Sequence, residues 1–519
     1  MPATAKQGAE ARDWSWVEAS IWTERMVSAL GNGVKGGRWY SLMDKVYAPA
    51  TLSAAWRKVR AKGGAAGVDG QSIERFAARA EEYLCELGAD LRTGSYRAQP
   101  IRRVEIPKGD GKTRPLGIPT VKDRIAQAAV KLVIEPIFEA MFLPGSYGFR
   151  PGRGCRDALR EVDGLIREGY AFAVDADLRS YFDSIAHERL MERVATRISD
   201  GRVLDLLRAW LGQDIFDGLE RWTPMQGTPQ GAVISPLLAN LYLHPLDERL
   251  AGRGYRMVRY ADDFVVLCRS QEEAVAALAE VRDWVEANGL ALHPDKTHLG
   301  DCRQPGQGFE FLGYRFEAGR RWVRKKSLDR LKDKVREKTR RTRGDSLARV
   351  IADLNPMLRG WFGYFKHAHH TSFPRLDSFI RRRLRAFLRK QEKRPGFGRC
   401  KADHQRWPTT SSHRQDCSPF MQPVSRRGAP DEETTNWSAV CGKTARTVRR
   451  AGRTETLPDP YPCEVEPAEG PRPEAAADKR RSTETGVPTA FARSEPDSRG
   501  HDPGIHIFRQ DGLPGQARQ

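Results

Sequence analysis

The chain has 519 residues, with 87 Lys and Arg against 67 Asp and Glu, for a formal net charge of +20. That length holds about three domains, and the basic excess selects a polyanionic partner, either nucleic acid or an anionic membrane surface. No apolar run approaches the ~20 residues of a membrane span, and no apolar stretch follows Met1-Pro2-Ala3-Thr4-Ala5-Lys6, which argues against a secretory signal.

In chain order, residues 14–60 read as helical, with Trp14, Trp16, Trp22 and Trp56 on apolar faces. Gly63 to Gly70 is a turn-rich break, and 71–92 reads as one amphipathic helix. Arg102 to Pro107 alternates like a strand, Gly109-Asp110-Gly111 is a hairpin turn, and Thr113 to Ile118 is the return strand. A helix is expected over 121–142. Phe172 to Leu178 is a buried strand carrying acids. Arg256 to Tyr260 and Phe264 to Cys268 are strands joined by a tight acidic turn, and 271–288 is helical. A short antiparallel sheet with packed helices is an α+β arrangement.

From Arg315 to Arg394 there are 26 Lys and Arg against 8 Asp and Glu. Apolar residues there recur at helical spacing (Leu328, Leu331, Val335; Leu347, Val350, Ile351, Leu354; Phe379, Ile380, Leu384, Phe387, Leu388), which predicts three amphipathic helices with basic outer faces. Trp361, Phe362, Tyr364 and Phe365 are expected between them. Cations at this density suit phosphates, and aromatic faces suit bases. Residues 409–519 hold only two leucines, Leu457 and Leu513, and 13 of the 32 prolines, too little apolar surface to offset ordering entropy; this tail is expected to be disordered. The eight cysteines are scattered without a Cys-x-x-Cys pair, which argues against a zinc ribbon or disulfide framework and for a reducing cytosol.

Tyr260-Ala261-Asp262-Asp263 is the sharpest local feature. Adjacent carboxylates at the tip of a buried hairpin repel each other and lose solvation, and a divalent metal relieves both costs. Mg²⁺ prefers such oxygens. Asp177 supplies a third carboxylate at the end of another apolar strand. Two metals held by these acids can activate a 3′-hydroxyl and stabilise a pyrophosphate leaving group.

The surrounding text resembles the reverse transcriptases of group II introns, the intron-encoded maturases, in family order from about Gly67 to Pro408. The resemblance rests on Ala66 to Gly70, Ile106-Pro107-Lys108, Arg114 to Pro119, Ser146 to Arg153, Asp177 to Asp183, Gly227 to Asn240, Tyr260 to Asp263, Gly289-Leu290, Lys296-Thr297, Phe311 to Tyr314 and Leu358 to Phe365. It implies a right-hand polymerase: an N-terminal helical extension over 1–65, fingers and palm over 66–316, a helical maturase thumb over 317–408, and the disordered tail over 409–519. By the same resemblance Asp177, Asp262 and Asp263 are the catalytic acids, binding two Mg²⁺ ions with the carbonyl of Leu178. Lys108 and Arg114 grip the incoming deoxynucleoside triphosphate, Phe182 excludes a 2′-hydroxyl, and Gln230 touches nucleotide and template. Lys296 reads either as a proton donor to pyrophosphate or as a solvated surface lysine. Arg359, Trp361, Tyr364, Arg381, Arg382 and Arg383 are the thumb's candidate RNA contacts. The implied partners are the host intron RNA, the DNA target or primer and deoxynucleoside triphosphates, with no membrane, in a cytoplasmic, nucleoid-associated ribonucleoprotein of bacterial type. The implied function is RNA-directed DNA synthesis in intron mobility, with assistance to splicing. The alternatives are a splicing-only maturase and a domesticated reverse transcriptase with a host role.

Some members of that family end in an endonuclease with a His-Asn-His core, a pattern this sequence lacks after Pro408. The matched text stops at Thr409. Thr409 to Val424 back-translates so that a neighbouring frame reads close to the family's ending. Ala439 to Arg449 back-translates into a GAAA-capped hairpin similar to domain V of the intron RNA. The tail therefore reads as frameshifted read-through of ribozyme sequence, against a rival reading as a disordered basic RNA-binding tail.

Overall fold

The computed structural model describes residues 13–109 and 112–406, without the side chains of 108, 109 and 112. The expectations for the tail, for the Asp110-Gly111 turn and for the Lys108 side chain lie outside the described residues.

Three helices open the chain: α1 (Glu24–Asn32), α2 (Met43–Val46) and α3 (Pro49–Lys62). The expected helical stretch over 14–60 is corrected at two places. Residues before Thr23 form turns, because the Asp13 carboxylate accepts from Ser15 N (2.8 Å) and the Thr23 hydroxyl caps α1 through Met26 N. Such local bonds compete with the helix ladder. Between α1 and α2 the chain passes through Gly33, Gly36 and Gly37, all at positive φ. Trp22 and Trp56 are buried as expected, and Trp22 Nε1 donates to Leu132 O (3.1 Å). Trp14 and Trp16 are half-buried. The single helix expected over 71–92 is two, α4 (Ile73–Ala78) and α5 (Ala80–Thr93), parted at Arg79 with φ −134° and ψ 35°.

Next come β1 (Ile101–Gly109) and β2 (Lys112–Ile118), the expected antiparallel hairpin, then α6 (Val121–Glu139) and α7 (Cys155–Arg167). β3 (Phe172–Asp177) is followed by a 3₁₀ turn at Tyr181–Ser184, α8 (His187–Ala195), α9 (Gly201–Leu211), and the short strands β4 (Ile215–Phe216) and β5 (Arg221–Trp222). α10 (Ser235–Gly252), β6 (Arg256–Tyr260), β7 (Asp263–Cys268), α11 (Gln271–Ala287) and β8 (His298–Asp301) complete the central layer. The chain then forms β9 (Phe309–Phe311), β10 (Tyr314–Glu317), β11 (Arg320–Val323), and helices α12 (Lys325–Lys338), α13 (Leu347–Phe365), α14 (Pro374–Gln391) and α15 (Lys401–Arg406). Among the described residues no helix is long and apolar enough to cross a membrane.

Among the described residues the strands form three sheets, with orders β2-β1-β4-β5, β6-β7-β3-β8 and β11-β10-β9. The central sheet β6-β7-β3-β8 is antiparallel throughout and is covered on both faces. Alternate side chains go to opposite sides, as the strand period of two requires. Val174, Ala176, Phe264, Val266 and Cys268 enter a core shared with α6, α8, α9, α10 and α11. Ala173, Val265 and Leu267 enter a second core with α7, β9 to β11 and α12 to α14. This alternation puts Asp175, Asp177 and Asp263 on the side of the second core, at the end of the sheet that stays open.

The C-terminal helices follow the predicted apolar periodicity. The aromatics differ from expectation: Trp361, Phe362, Tyr364 and Phe365 lie on α13 itself, not between helices. Trp361 packs on Phe365 (4.7 Å between centroids) and Phe362 on Phe373 (5.7 Å).

Candidate active site

β6 and β7 form a hairpin whose closing pair is Tyr260 and Asp263, leaving Ala261-Asp262 as a two-residue turn. Ala261 adopts φ +62°, a conformation usually left to glycine in such turns. The neighbourhood holds it there. The buried Arg259 donates through Nη1 to Ala261 O (2.9 Å) and to Asn240 Oδ1 (2.9 Å). Asn240 Nδ2 in turn donates to Gly148 O (2.7 Å). Gly148 lies directly against the turn, where a Cβ would stand 2.1 Å from Ala261 N. Only glycine fits at that distance.

In the register of β3 with β7, Asp177 faces Asp263. Asp262 stands beside them at the turn. All three line a cleft of about 400 Å³ together with Asp175, Lys296 and His298. Burial first, and then the charges of Asp175, Asp262 and Asp177, push the Asp263 carboxyl up to about 7. The cleft therefore carries more negative charge than its surroundings neutralise. Part of the compensation is internal: Lys296 Nζ lies 2.6 Å from Asp177 Oδ2. Leu178 follows Asp177 as a buried residue bridged to Leu292.

Asp175 is a cleft residue that the sequence reading missed. It precedes Asp177 by two positions on one strand, so the period of two was a usable signal. Burial pushes its carboxyl up to about 6, opposed by the nearby His298. His298 Nε2 lies 3.6 Å away, and Glu310 N donates to Asp175 Oδ2 (3.3 Å). Glu310 pairs with Arg324 at the start of α12 (2.5 Å), so the cleft is tied to the C-terminal helices.

Gln230 lies outside that cleft, in a depression of about 310 Å³ with Arg103, Pro115, Asp183, Trp222 and Pro229. Its side chain bonds to Asp183 and its carbonyl accepts from Gly117 N (2.7 Å), closing its loop onto β2. Phe182 sits half-buried in the 3₁₀ turn between these two regions of sequence, with its carbonyl accepting from Thr228 N (2.7 Å). Arg114 is exposed on β2 opposite Ile106.

The thumb candidates divide by environment. Arg359 is exposed on α13. Arg381 pairs with Asp377 (2.7 Å), and Arg382 lies over the Phe379 ring (5.5 Å). Arg383 donates to Thr339 Oγ1 (2.9 Å), Thr339 O (2.9 Å) and Arg336 O (3.1 Å), closing the C-terminus of α12. Tyr364 donates its hydroxyl to Leu312 O (2.8 Å). Trp361 thus packs within α13, Tyr364 ties α13 to the β9–β10 connection, and Arg383 ties α14 to α12.

The donor set suits Mg²⁺. Hard carboxylate oxygens from two strands and one turn converge on an over-charged cleft, the setting in which that ion is held with water and phosphate as further ligands. Among the described residues no three His, Cys, Asp or Glu side chains stand close enough together to hold a metal ion as they are placed.

Residues 106–316 match the family described as "Reverse transcriptase (RNA-dependent DNA polymerase)", and residues 328–407 match "Group II intron, maturase-specific domain". Protein YkfC of Escherichia coli (strain K12) is 35% identical over 316 residues, 53% of this chain and 82% of that protein. The group II intron-encoded protein LtrA of Lactococcus lactis subsp. cremoris is 39% identical over 171 residues, 32% of this chain but only 28% of LtrA. A chain of a partial Cas6-RT-Cas1–Cas2 complex aligns with 28% identity and a TM-score of 0.31, covering 47% of this chain and 41% of that one.

Proposed function

This chain belongs to the group II intron-encoded reverse transcriptase and maturase family, and from that premise we propose that it copies RNA into DNA at the acidic cleft and binds its host intron RNA through the thumb. Its enzyme class is RNA-directed DNA polymerase. The observation that carries the mechanism is the facing of Asp177 and Asp263 across β3 and β7, with Asp262 at the adjoining turn.

When bound there, Mg²⁺ ions supply charge neutralisation for the attacking 3′-hydroxyl and the leaving pyrophosphate. Asp177, Asp262 and Asp263, with the carbonyl of Leu178, would hold those ions. Lys296 pairs with Asp177, and its ammonium would be free for the phosphates were that carboxylate engaged by a metal ion. Arg114, with Lys108, binds the triphosphate from the β1–β2 hairpin, since charge-assisted bonds are the strong ones for phosphate. Phe182 packs beneath the sugar and excludes a 2′-hydroxyl. Gln230 bears on nucleotide and template through a loop anchored to β2. In the thumb, Arg359 with Arg381 and Arg382 supplies the phosphate contacts, and Trp361, Tyr364 and Arg383 hold the helices that present them. The partners of the assembled particle are the intron RNA and its DNA target, and the setting is a cytoplasmic ribonucleoprotein at the nucleoid.

The test is primer extension on poly(rA)/oligo(dT) with Mg²⁺, which should yield DNA. No product from the intact chain, at metal and nucleotide saturation, would refute the polymerase reading.

A further inference from the structure

A second cationic surface runs from α7 across the outer strand of the β9–β11 sheet, where Trp322 stands opposite the cleft-lining Arg315, and the thumb candidates named above are not part of it. It is assembled from three separate pieces of chain. α7 contributes Arg156 and Arg160, both exposed. β11 contributes Arg320 and Arg321, and the segment after α13 contributes Lys366, His367, His369 and His370. β11 is the outer strand of its sheet, and β9, whose Glu310 lines the acidic cleft, is at the other edge.

Contacts fix these pieces to one another. Arg156 Nη2 donates to Gly363 O (3.0 Å), Arg321 pairs with Asp163 of α7 (2.5 Å), and His369 N donates to Arg321 O (2.6 Å). The charges concentrate around His367. Its imidazole is pushed below the usual range, first by burial and then by Arg321, Lys366, Arg156 and Arg160, four cations with no acid among them. Asp157 and Asp163 on α7 are already paired, with Arg160 and Arg321. Among the described residues no ion pair reaches Arg156, Arg320 or Lys366.

Beside the cations stand three rings in sequence. Trp322 lies against His369 with centroids 4.7 Å apart, and His369 against His370 at 4.3 Å. The rings are tilted to one another by 48° and 38°, and His370, the outermost, is exposed, so its ring is the one open to a base. Cations that follow phosphates next to flat rings that take bases form the combination by which proteins hold unpaired strands. A duplex hides its base faces and would use only the cations.

We propose that this surface, where α7, β11 and the His367–His370 segment meet, binds a single-stranded stretch of RNA, its phosphates on Arg156, Arg160, Arg320 and Lys366 and a base on His370. The assignment of RNA rests on the family reading above; the surface itself does not depend on the polymerase cleft. It gives the chain a second hold on RNA while a template and primer occupy the first.

The test uses the full chain with the cleft filled by saturating unlabelled template–primer, and fluorescence anisotropy of a labelled oligouridylate as the probe. The variant Arg160→Gln/Arg320→Gln/Lys366→Gln leaves the Arg156 and Arg321 anchors intact. Its affinity should fall about tenfold or more, and the slope of log affinity against log salt should shrink by about 2, near 0.7 for each phosphate of the single strand that is no longer neutralised. His370→Ala should cost roughly fivefold or more in affinity and leave the slope unchanged, since stacking carries no counterion release. Should the triple variant melt early, Lys366→Glu, at an exposed site, carries the same salt test. Affinity and slope unchanged in these variants would overturn the proposal. A loss confined to double-stranded DNA, measured as a parallel arm, would overturn the RNA assignment. Primer extension should persist in every variant. If the unsubstituted chain extends no primer, the polymerase reading fails while the anisotropy still decides this one.

Discussion

Arg259 and Asp247 form a two-pronged ion pair beneath the Tyr260–Asp263 hairpin, Nε to Oδ1 at 2.8 Å and Nη2 to Oδ2 at 2.6 Å, with side-chain exposures of 0% and 4%. The remaining nitrogen, Nη1, reaches Ala261 O and Asn240 Oδ1. One side chain therefore joins α10 to β6 and fixes the carbonyl of the residue before Asp262. Removing one partner of such a pair strands a buried charge, which costs about 3–5 kcal/mol. Arg259→Met and Asp247→Asn should each lower the thermal midpoint by a clear margin. Arg259→Lys keeps a charge but loses the planar fork. It should lower kcat for nucleotide addition with little change in KM. Denaturation scans and steady-state kinetics check both, and an unshifted midpoint in Asp247→Asn would contradict the account.

The three aspartates should separate catalysis from RNA binding. Asp262→Ala or Asp177→Asn removes a carboxylate from the cleft and leaves the C-terminal helices untouched. Metal stabilisation of developing charge is worth several kcal/mol, so primer extension should fall roughly a hundredfold or more. Intron RNA affinity, measured by filter binding, should stay nearly unchanged. An equal loss of both would contradict the division of labour between sheet and helices.

How much of this was legible depends on the range of the interactions involved. The Tyr260–Asp263 hairpin was, because apolar alternation on each side and a two-residue acidic turn are local signals. The three basic helices were legible by the same logic of period. The break at Arg79 was not. Arg79 is an ordinary helix former, and its departure to ψ 35° carries no Gly or Pro mark. Arg259 was also hidden: an arginine in a strand reads as an outward-facing charge until α10 brings Asp247 and Asn240 to it. Asp175 was half-visible, counted among the acids of its strand and sharing a face with Asp177, but not singled out as a site residue. The inward turn of Trp361 and Tyr364 could not be read from spacing, since an aromatic stripe serves a core and a nucleic-acid surface equally.

Lys296 and Asp177 are each partly open to solvent, with side-chain exposures of 52% and 40%. An exposed pair contributes about 0–1 kcal/mol to stability, so Lys296→Met should leave the thermal midpoint within a degree or two. The same substitution removes an internal competitor for Asp177. Mn²⁺ titrated into the protein without nucleic acid should therefore bind more tightly in the variant, even as nucleotide addition slows. Weaker Mn²⁺ binding in Lys296→Met would show that the lysine assists the site and does not compete for it.

Two glycines offer a matched comparison. A Cβ on Gly148 would meet backbone atoms of the Tyr260–Asp263 hairpin, 2.1 Å from Ala261 N and 2.7 Å from Tyr260 C. Neither atom can give way without moving the turn that carries Asp262. Gly164 lies within α7, and a Cβ there meets nothing within 4 Å. Alanine is the better helix former by about 1 kcal/mol. Gly164→Ala should thus hold or raise the thermal midpoint with activity intact. Gly148→Ala should lower the midpoint, overpacking costing about 1–3 kcal/mol, and should reduce primer extension more steeply than stability alone explains. The measurement is the ratio of initial extension rates at a temperature well below both midpoints, where each variant is folded. A ratio near one would mean that the hairpin tolerates displacement, and the close approach of Gly148 would then have no bearing on where Asp262 sits.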